Sequence, residues 1–278
     1  MKKIALAVVA TAIMSGGAAS AADMAPRKYT KAPPPVVAPV YDWTGFYIGG
    51  NVGGGWSEDS GATLCTEGGV VNTPLCQNVP GGTINGSGVI GGMQAGYNWQ
   101  VGPSWLIGIE ADIQGADIKG SKTVNGPFPF FGGGFADPDT TYTASERIDW
   151  FGTVRGRVGV TAGPVLFYVT GGLAYGHARL NTDLVSGSFF TFPASASVTK
   201  AGWTAGGGVE WGFAGNWSVK LEGLYYDLGT TTVSAGPTVG AGDPGLAPFR
   251  RGKDFDLHGA IGRVGLNYRF GGPVIAKY

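Results

Sequence analysis

The chain has 278 residues and a formal net charge of zero, because its 19 lysine and arginine residues are balanced by 19 aspartate and glutamate residues. This balance excludes an electrostatic case for nucleic acid as a partner, and no apolar run reaches the ~18 residues that a membrane-spanning helix needs. The 52 glycines lack the three-residue period of collagen, and 12% aromatic residues argue against a disordered chain.

The chain begins with segments that predict export. Lys2 and Lys3 precede a short apolar run at 4–14, and residues 19–21 (Ala-Ser-Ala) are small enough for a cleavage site. This order is typical of a secretory signal peptide. We therefore expect residues 1–21 to be a cleavable signal and the proline-rich residues 22–42 to be an extended periplasmic leader.

After the leader, apolar residues recur with a period of two. In the first segment Phe46, Ile48 and Val52 share one face, while Tyr47 and Asn51 share the other. The pattern occurs in eight segments of 9 to 11 residues: 46–56, 89–99, 105–114, 150–160, 165–175, 203–213, 217–225 and 260–270. A strand crossing a bilayer at a tilt of ~45° needs about 9–11 residues. The sequence therefore predicts an all-β fold over residues 43–270, an eight-stranded antiparallel up-and-down transmembrane β-barrel.

The connections between the segments alternate between short and long. Short turns are expected at 101–104, 162–164 and 214–216, and long loops at 57–87, 116–147, 178–198 and 229–254. Bacterial transmembrane barrels have short periplasmic turns and longer outer loops. Cys65 and Cys76 lie in the first long loop, where an oxidising compartment favours a disulfide between them. No metal site is expected, because the two histidines lie far from both cysteines.

All eight tryptophans lie at the ends of predicted strands. An indole has an apolar body and one N–H donor, so it prefers the interface between hydrocarbon and headgroups. The two predicted girdles are Trp43, Trp99, Trp105, Trp211 and Trp217 on the short-turn side, and Trp56, Trp150 and Trp203 on the long-loop side.

The face opposite the lipid carries charges in the middle of the strands. A charged residue facing lipid at the midplane costs ~2–4 kcal/mol, whereas inward-facing charges can pair with one another. The lumen of an eight-stranded barrel is about wide enough for side chains to fill. We therefore predict a lumen ion-pair network with little or no pore, leaving a small gated pore as the alternative. Its predicted members are Glu110, Asp112, Arg155, Arg157, Glu210, Lys220, Glu222, Arg263 and Arg269.

Two motifs resemble a known family. The segment 42–56, DWTGFYIGGNVGGGW, and the segment 263–270, RVGLNYRF, resemble the alpha-proteobacterial outer-membrane immunogenic proteins, porin-like small barrels related to the membrane domain of outer-membrane protein A. The resemblance covers roughly residues 41–270. It implies a surface protein of the outer membrane that depends on the barrel assembly machinery. Because the short extension 271–278 follows Phe270, either Phe270 or Tyr278 is the candidate assembly signal.

The predicted filled lumen favours a structural protein, and the resemblance implies that it is surface-exposed, supports envelope integrity and acts as a surface antigen. The alternatives are a small diffusion porin and a hemin-binding or ligand-binding receptor, for which His177 and His258 are the candidate hemin ligands. No other cofactor is expected. We expect no enzyme, because neither histidine has a serine beside it in the sequence. The expected partners are outer-membrane lipid and lipopolysaccharide, while the partners of the loops cannot be read from the sequence.

Overall fold

The computed structural model describes residues 41–71, 82–130, 135–186, 190–236 and 249–271. The predicted signal peptide, nearly all of the leader, Cys76 and the extension from 272 to 278 lie outside the described residues. Within the described ranges, no helix combines the length and the apolar character required to cross a membrane.

The described residues are mostly β-strand. In chain order the strands are β1 (Gly45–Asp59), β2 (Thr63–Glu67), β3 (Val70–Val71), β4 (Ile84–Val101), β5 (Trp105–Asn125), β6 (Phe128–Phe130), β7 (Phe135–Asp137), β8 (Thr140–Ala162), β9 (Val165–Ser186), β10 (Phe190–Ala214), β11 (Trp217–Ala235) and β12 (Phe249–Phe270).

Eight of these strands form a closed antiparallel ring. The order is β1-β4-β5-β8-β9-β10-β11-β12, and β12 pairs back onto β1, with Phe46 opposite Phe270. Each predicted segment lies in a different strand of the ring, so the predicted eight-stranded up-and-down barrel is confirmed. Closure pairs the backbone groups of every strand in the ring, which is what a bilayer without hydrogen-bonding partners requires.

Three tight turns join strands at one end of the barrel, which we call the turn end; the opposite end is the loop end. Gly102, Gly163 and Gly215 occupy these turns with φ angles of 83°, 59° and 52°. A side chain is disfavoured at such angles, so glycine suits each turn. The three short connections are therefore where the sequence predicted them.

The long connections differ from the prediction, because much of 57–87, 116–147, 178–198 and 229–254 is strand. The ring strands contain 15 to 25 residues, not 9 to 11. Toward the loop end, β5, β8, β9 and β10 continue as one sheet, and β11, β12, β2 and β3 continue as another; we call these parts the extension. Among the described residues, pairing of β10 with β11 ends at Trp203 and Asp227. Alternating apolar residues mark only the part of each strand that contacts lipid. Beyond that part, backbone pairing continues through sequence that is rich in serine and threonine, so the strands are longer than the pattern predicted.

Within the span, the two faces of each strand differ as predicted. Val52 and Met93 on the outer face are 66% and 74% exposed, whereas the neighbouring inward residues Asn51 and Gln94 are buried. An exposed apolar outer face around a polar inner face is the arrangement of a transmembrane barrel.

Candidate functional site

The middle of the lumen holds a cluster of buried charged side chains, which we call the ion-pair network. Residues two apart on one strand point to the same face, so pairs such as Glu110 and Asp112 enter the lumen together. Four acidic and four basic residues balance within it. Its members are Glu110 and Asp112 on β5, Arg155 and Arg157 on β8, Glu210 on β10, Lys220 and Glu222 on β11, and Arg263 on β12.

Glu222 lies at the centre of the network and is shared by two guanidinium groups. Its Oε1 is 2.8 Å from Arg155 Nη1, and its Oε2 is 2.6 Å from Arg263 Nη2. Arg155 also reaches Glu110 Oε1 at 2.6 Å, and Arg263 reaches Asp112 Oδ2 at 2.8 Å. The two arginines thus join three carboxylates from opposite sides of the lumen.

The part of the network nearer the turn end is paired in the same way. Lys220 Nζ lies 2.7 Å from Glu110 Oε1, and Arg157 Nη2 lies 2.9 Å from Glu210 Oε2. The Tyr47 hydroxyl donates to Glu110 Oε2 at 2.7 Å. Every charge of the network therefore has an opposite charge beside it, as burial requires, since an unpaired buried ion costs several kcal/mol.

Two predicted site residues lie elsewhere. Arg269 is buried but is not in the ion-pair network; its guanidinium carbon lies 4.7 Å from the ring centroid of Tyr41 and 5.7 Å from that of Trp43.

Trp43 is only 2% exposed, and its Nε1 donates to the Gly163 carbonyl at 3.2 Å, so its assignment to the girdle is wrong. The cause is the position of residues 41–44, just before β1, which lie against the lumen at the turn end. Together with nearby side chains Trp43 forms an apolar layer, the lower layer: Trp43, Leu106, Leu166 and Tyr168, with Tyr41 against it.

The other seven tryptophans lie in the ring strands. Six are exposed on the outer face: Trp99, Trp105, Trp211 and Trp217 toward the turn end, and Trp56 and Trp203 toward the loop end. Trp150 is half-buried, at the same level as the latter two. Because β1, β8 and β10 extend beyond them, Trp56, Trp150 and Trp203 lie inside the strands, not at their ends. Their predicted role at the membrane interface is consistent with this placement and stays a prediction.

A second apolar cluster fills the lumen from the network to the loop end, and we call it the upper core. Its largest members are Phe151, Phe192, Phe255, Tyr142 and Tyr226, all less than 3% exposed. The upper core was not predicted from the sequence, because the lumen was expected to be polar throughout. A signal was present in β9, where the apolar residues change from odd positions such as 167 and 169 to even positions such as 180 and 184. That change of phase marks where the outer face leaves lipid.

The two candidate hemin ligands lie on the outer side of the extension, on different strands. Hydroxyl oxygens contact both ring nitrogens of His177: Ser197 Oγ lies 3.0 Å from Nε2, and Thr199 Oγ1 lies 3.2 Å from Nδ1. Strand pairing therefore supplies the serine partner that sequence neighbours do not. The group opposite that serine is a threonine hydroxyl, whereas a catalytic triad has a carboxylate there. His258 has the Tyr225 ring at 6.4 Å.

Cys65 is buried and disulfide-bonded. Its predicted partner, Cys76, lies outside the described residues, so the pairing stays a prediction. In the parts of the chain that the structure describes, no three histidine, cysteine, aspartate or glutamate side chains are grouped to hold a metal ion.

Comparison with known proteins gives a consistent set of relatives. Residues 8–270 match the family model described as "Outer membrane protein beta-barrel domain". The chain is 35% identical over 236 residues to the 31 kDa outer-membrane immunogenic protein of Brucella melitensis, covering 82% of this chain and 88% of that relative. It is 29% identical to the 22 kDa outer membrane protein of Rhizobium leguminosarum, covering 72% and 74%. Among solved structures, the outer membrane protein OprG of Pseudomonas aeruginosa matches with a TM-score of 0.43 at 14% identity, covering 82% and 96%.

Proposed function

This chain belongs to the outer membrane protein β-barrel domain family, and from that premise we propose that it is a structural barrel of the outer membrane with little or no pore activity and with surface-exposed, antigenic loops. The outer-membrane location and the barrel fold are shared with the relatives. The absence of conduction and the roles in envelope integrity and recognition are the proposal.

The filling of the lumen is the observation that carries this proposal. From the turn end to the loop end, a solute meets the lower layer, then the ion-pair network, then the upper core. The lower layer and the upper core are apolar, and the side chains of the ion-pair network are nearly inaccessible to solvent. Interiors packed in this way leave few voids larger than a water molecule. A diffusion porin needs a continuous aqueous path through the lumen. The lower layer, the ion-pair network and the upper core each block such a path.

Polar side chains also tie strands together within the extension. Asp59 Oδ2 on β1 lies 3.0 Å from Lys253 Nζ on β12, and both side chains are buried. The Ser57 hydroxyl on β1 donates to Glu146 on β8, across the barrel. These contacts hold β1, β8 and β12 together beside the upper core, which supports a closed loop end.

The antigenic role rests on the direction of the barrel and on its relatives. Short turns face the periplasm in bacterial barrels, so the loop end is expected to face outward. The Brucella relatives are named outer-membrane immunogenic proteins. Surface loops are the part of such a barrel that an outside partner can reach, which is why we assign recognition to the loop end.

Conductance of the refolded mature chain in a planar bilayer tests the proposal. We expect no steady conductance from the wild type, nor from Phe167→Ala, a control on the outer face. The double variant Phe151→Ala/Phe255→Ala removes two rings from the upper core but leaves the lower layer and the ion-pair network in place, so it should not conduct steadily either. Folding of every sample is checked by its shifted mobility on an unboiled gel. A steady wild-type conductance that survives trimming of the loops would establish the porin alternative instead.

A further inference from the structure

We propose that the outer face of the extension on β5, β8 and β9 binds the phosphate groups of the outer-leaflet glycolipid, lipopolysaccharide. The proposal rests on the proposed function in one respect, the outward orientation of the loop end. It adds a binding surface and the chemistry of its ligand.

Three basic residues form a row across adjacent strands on this face. Lys119 on β5 lies opposite Arg147 on β8, and Arg147 lies opposite Arg179 on β9. Their side chains are 53%, 45% and 58% exposed. Neighbouring strands are about 4.8 Å apart, so the row places three cations within roughly 10 Å. Like charges directly opposite one another destabilise a sheet, so a row of this kind is unfavourable without a compensating anion.

Two aspartates compensate this row only in part. Asp117 contacts Lys119 Nζ at 2.8 Å and Arg147 Nη2 at 2.9 Å. Asp149 contacts Arg147 Nε at 3.1 Å and Arg179 Nε at 2.8 Å. Three cations against two carboxylates leave a local charge of +1. A guanidinium has five N–H donors, and the aspartates contact two nitrogens of Arg147 and one of Arg179, so each arginine retains further donors.

The row lies at a depth that suits lipid headgroups. His177, two residues before Arg179 on β9, lies opposite Trp150 at the loop-side aromatic level, and their rings stack 6.2 Å apart. Two strand residues span about 6.7 Å, so the cations lie just beyond the aromatic level.

Next to the row is a depression of about 390 Å³, lined by Lys119, Gly120, Ser121, Ser145, Glu146, Arg147 and Asn181. Its hydroxyl and amide groups are additional hydrogen-bonding partners for a phosphorylated sugar.

The opposite side of the extension has the opposite charge. Glu58 on β1, Asp227 on β11, and Asp254 and Asp256 on β12 lie toward its outer side, with His258 as their neighbour. An anionic lipid is therefore attracted to one side of the barrel and repelled from the other. Arginine pairs with phosphate through two parallel hydrogen bonds, and a phosphomonoester carries more negative charge at neutral pH than a phosphodiester, which favours the phosphomonoesters of a glycolipid over the phosphodiester of a glycerophospholipid.

Binding of bis-phosphorylated lipid A by the refolded barrel in neutral detergent tests this assignment, with lipid retained on the protein measured by native mass spectrometry. Arg147→Gln/Arg179→Gln removes two cations of the row. Lys122→Gln/Arg250→Gln removes two exposed cations outside it and is the matched control. We expect the first variant to bind about 10- to 30-fold more weakly and the control to bind like the wild type. Dephosphorylated lipid A should bind weakly to all three proteins.

Equal affinity of both variants for lipid A would overturn the proposal. Equal affinity of the wild type for phosphatidylglycerol would overturn the assignment to glycolipid. Each sample must also show the mobility shift of the folded barrel, so loss of binding is not confused with misfolding. Conductance measured on the same preparation separates the two proposals, because a conducting barrel can still bind lipid A, and a closed one can fail to bind it.

Discussion

Replacing Glu222 by alanine removes the carboxylate that two buried guanidinium groups share. Arg155 loses a partner at 2.8 Å and Arg263 loses one at 2.6 Å, while the Tyr168 hydroxyl loses its acceptor at 3.2 Å. The remaining carboxylates cannot move to replace it, because each is held by its own strand and its own partners. Glu222→Ala therefore leaves excess positive charge in a region without solvent.

The expected cost follows from that uncompensated charge. Breaking a buried ion pair by removing one partner costs about 3–5 kcal/mol. For a chain of this size, 1 kcal/mol changes the melting temperature by roughly 2–4 °C, so Glu222→Ala should melt about 6–20 °C lower. The folded fraction of the refolded barrel in detergent, measured by mobility on unboiled gels after stepwise heating, gives this temperature, and urea unfolding gives the free energy.

Glu58→Ala is the matched control, since it removes an exposed acid from the outer face of β1. A surface change of this kind should stay within about 0.5 kcal/mol of the wild type. In addition, Glu222→Ala/Arg263→Met should be less destabilised than the sum of its single variants, because it removes both members of a pair. The inward, paired position of Glu222 is wrong if Glu222→Ala melts at the same temperature as Glu58→Ala. It is also wrong if the loss of unfolding free energy in the double variant equals the sum of the losses in its single variants.

Three further predictions concern the extension and the loops. Burial raises the pKa of Glu146 to about 7, so the folded state binds its proton more tightly than the unfolded state does, and stability should fall as pH rises from about 4.5 to 7. Urea midpoints across that range should show this slope, and Glu146→Gln should flatten it. A Soret titration with hemin should give identical spectra for the wild type and His177→Ala/His258→Ala, because hydroxyl groups already contact both nitrogens of the first histidine. Thiol titration of the denatured mature chain should find no free thiol before reduction, and Cys65→Ser should expose one at Cys76.

The sequence predicts the membrane-spanning part of the barrel well, because the bilayer imposes a strong pattern there. Lipid requires apolar side chains on one face, and the lumen accepts charge on the other. The alternation of Ile109 with Glu110, and of Val154 with Arg155, therefore reports the direction of each side chain, and the structure has every one of these residues on the expected face. Short turns were equally readable, since glycine next to proline or asparagine between two such segments leaves few other conformations.

What the sequence did not predict depends on contacts between distant segments. Trp43 resembles any tryptophan beside a strand, and only its packing against Leu106, Leu166 and Tyr168 from distant strands places it inside. The strands of the extension lack a lipid-facing pattern, so residues 140–147 and 190–198 were assigned to loops although they pair continuously with β9. Likewise the pairing of His177 with Ser197 depends on the register between two strands, which short sequence patterns do not reveal.

The connectivity of the ion-pair network suggests that it determines register as well as stability. Each acid is paired with a base on a strand that is not its neighbour in the ring, as Glu110 on β5 is with Lys220 on β11 and Glu222 on β11 is with Arg155 on β8. A one-residue slip of β11 would turn Lys220 and Glu222 toward lipid, at a cost of about 2–4 kcal/mol for a lysine at the midplane and less for a carboxylate. Apolar residues in their place would tolerate the slip, although buried ion pairs replaced by apolar groups often lose no stability. A barrel whose network is replaced by leucine and methionine should therefore stay stable but refold into several species, seen as extra bands on an unboiled gel; one sharp band at the folded position would contradict a role in register.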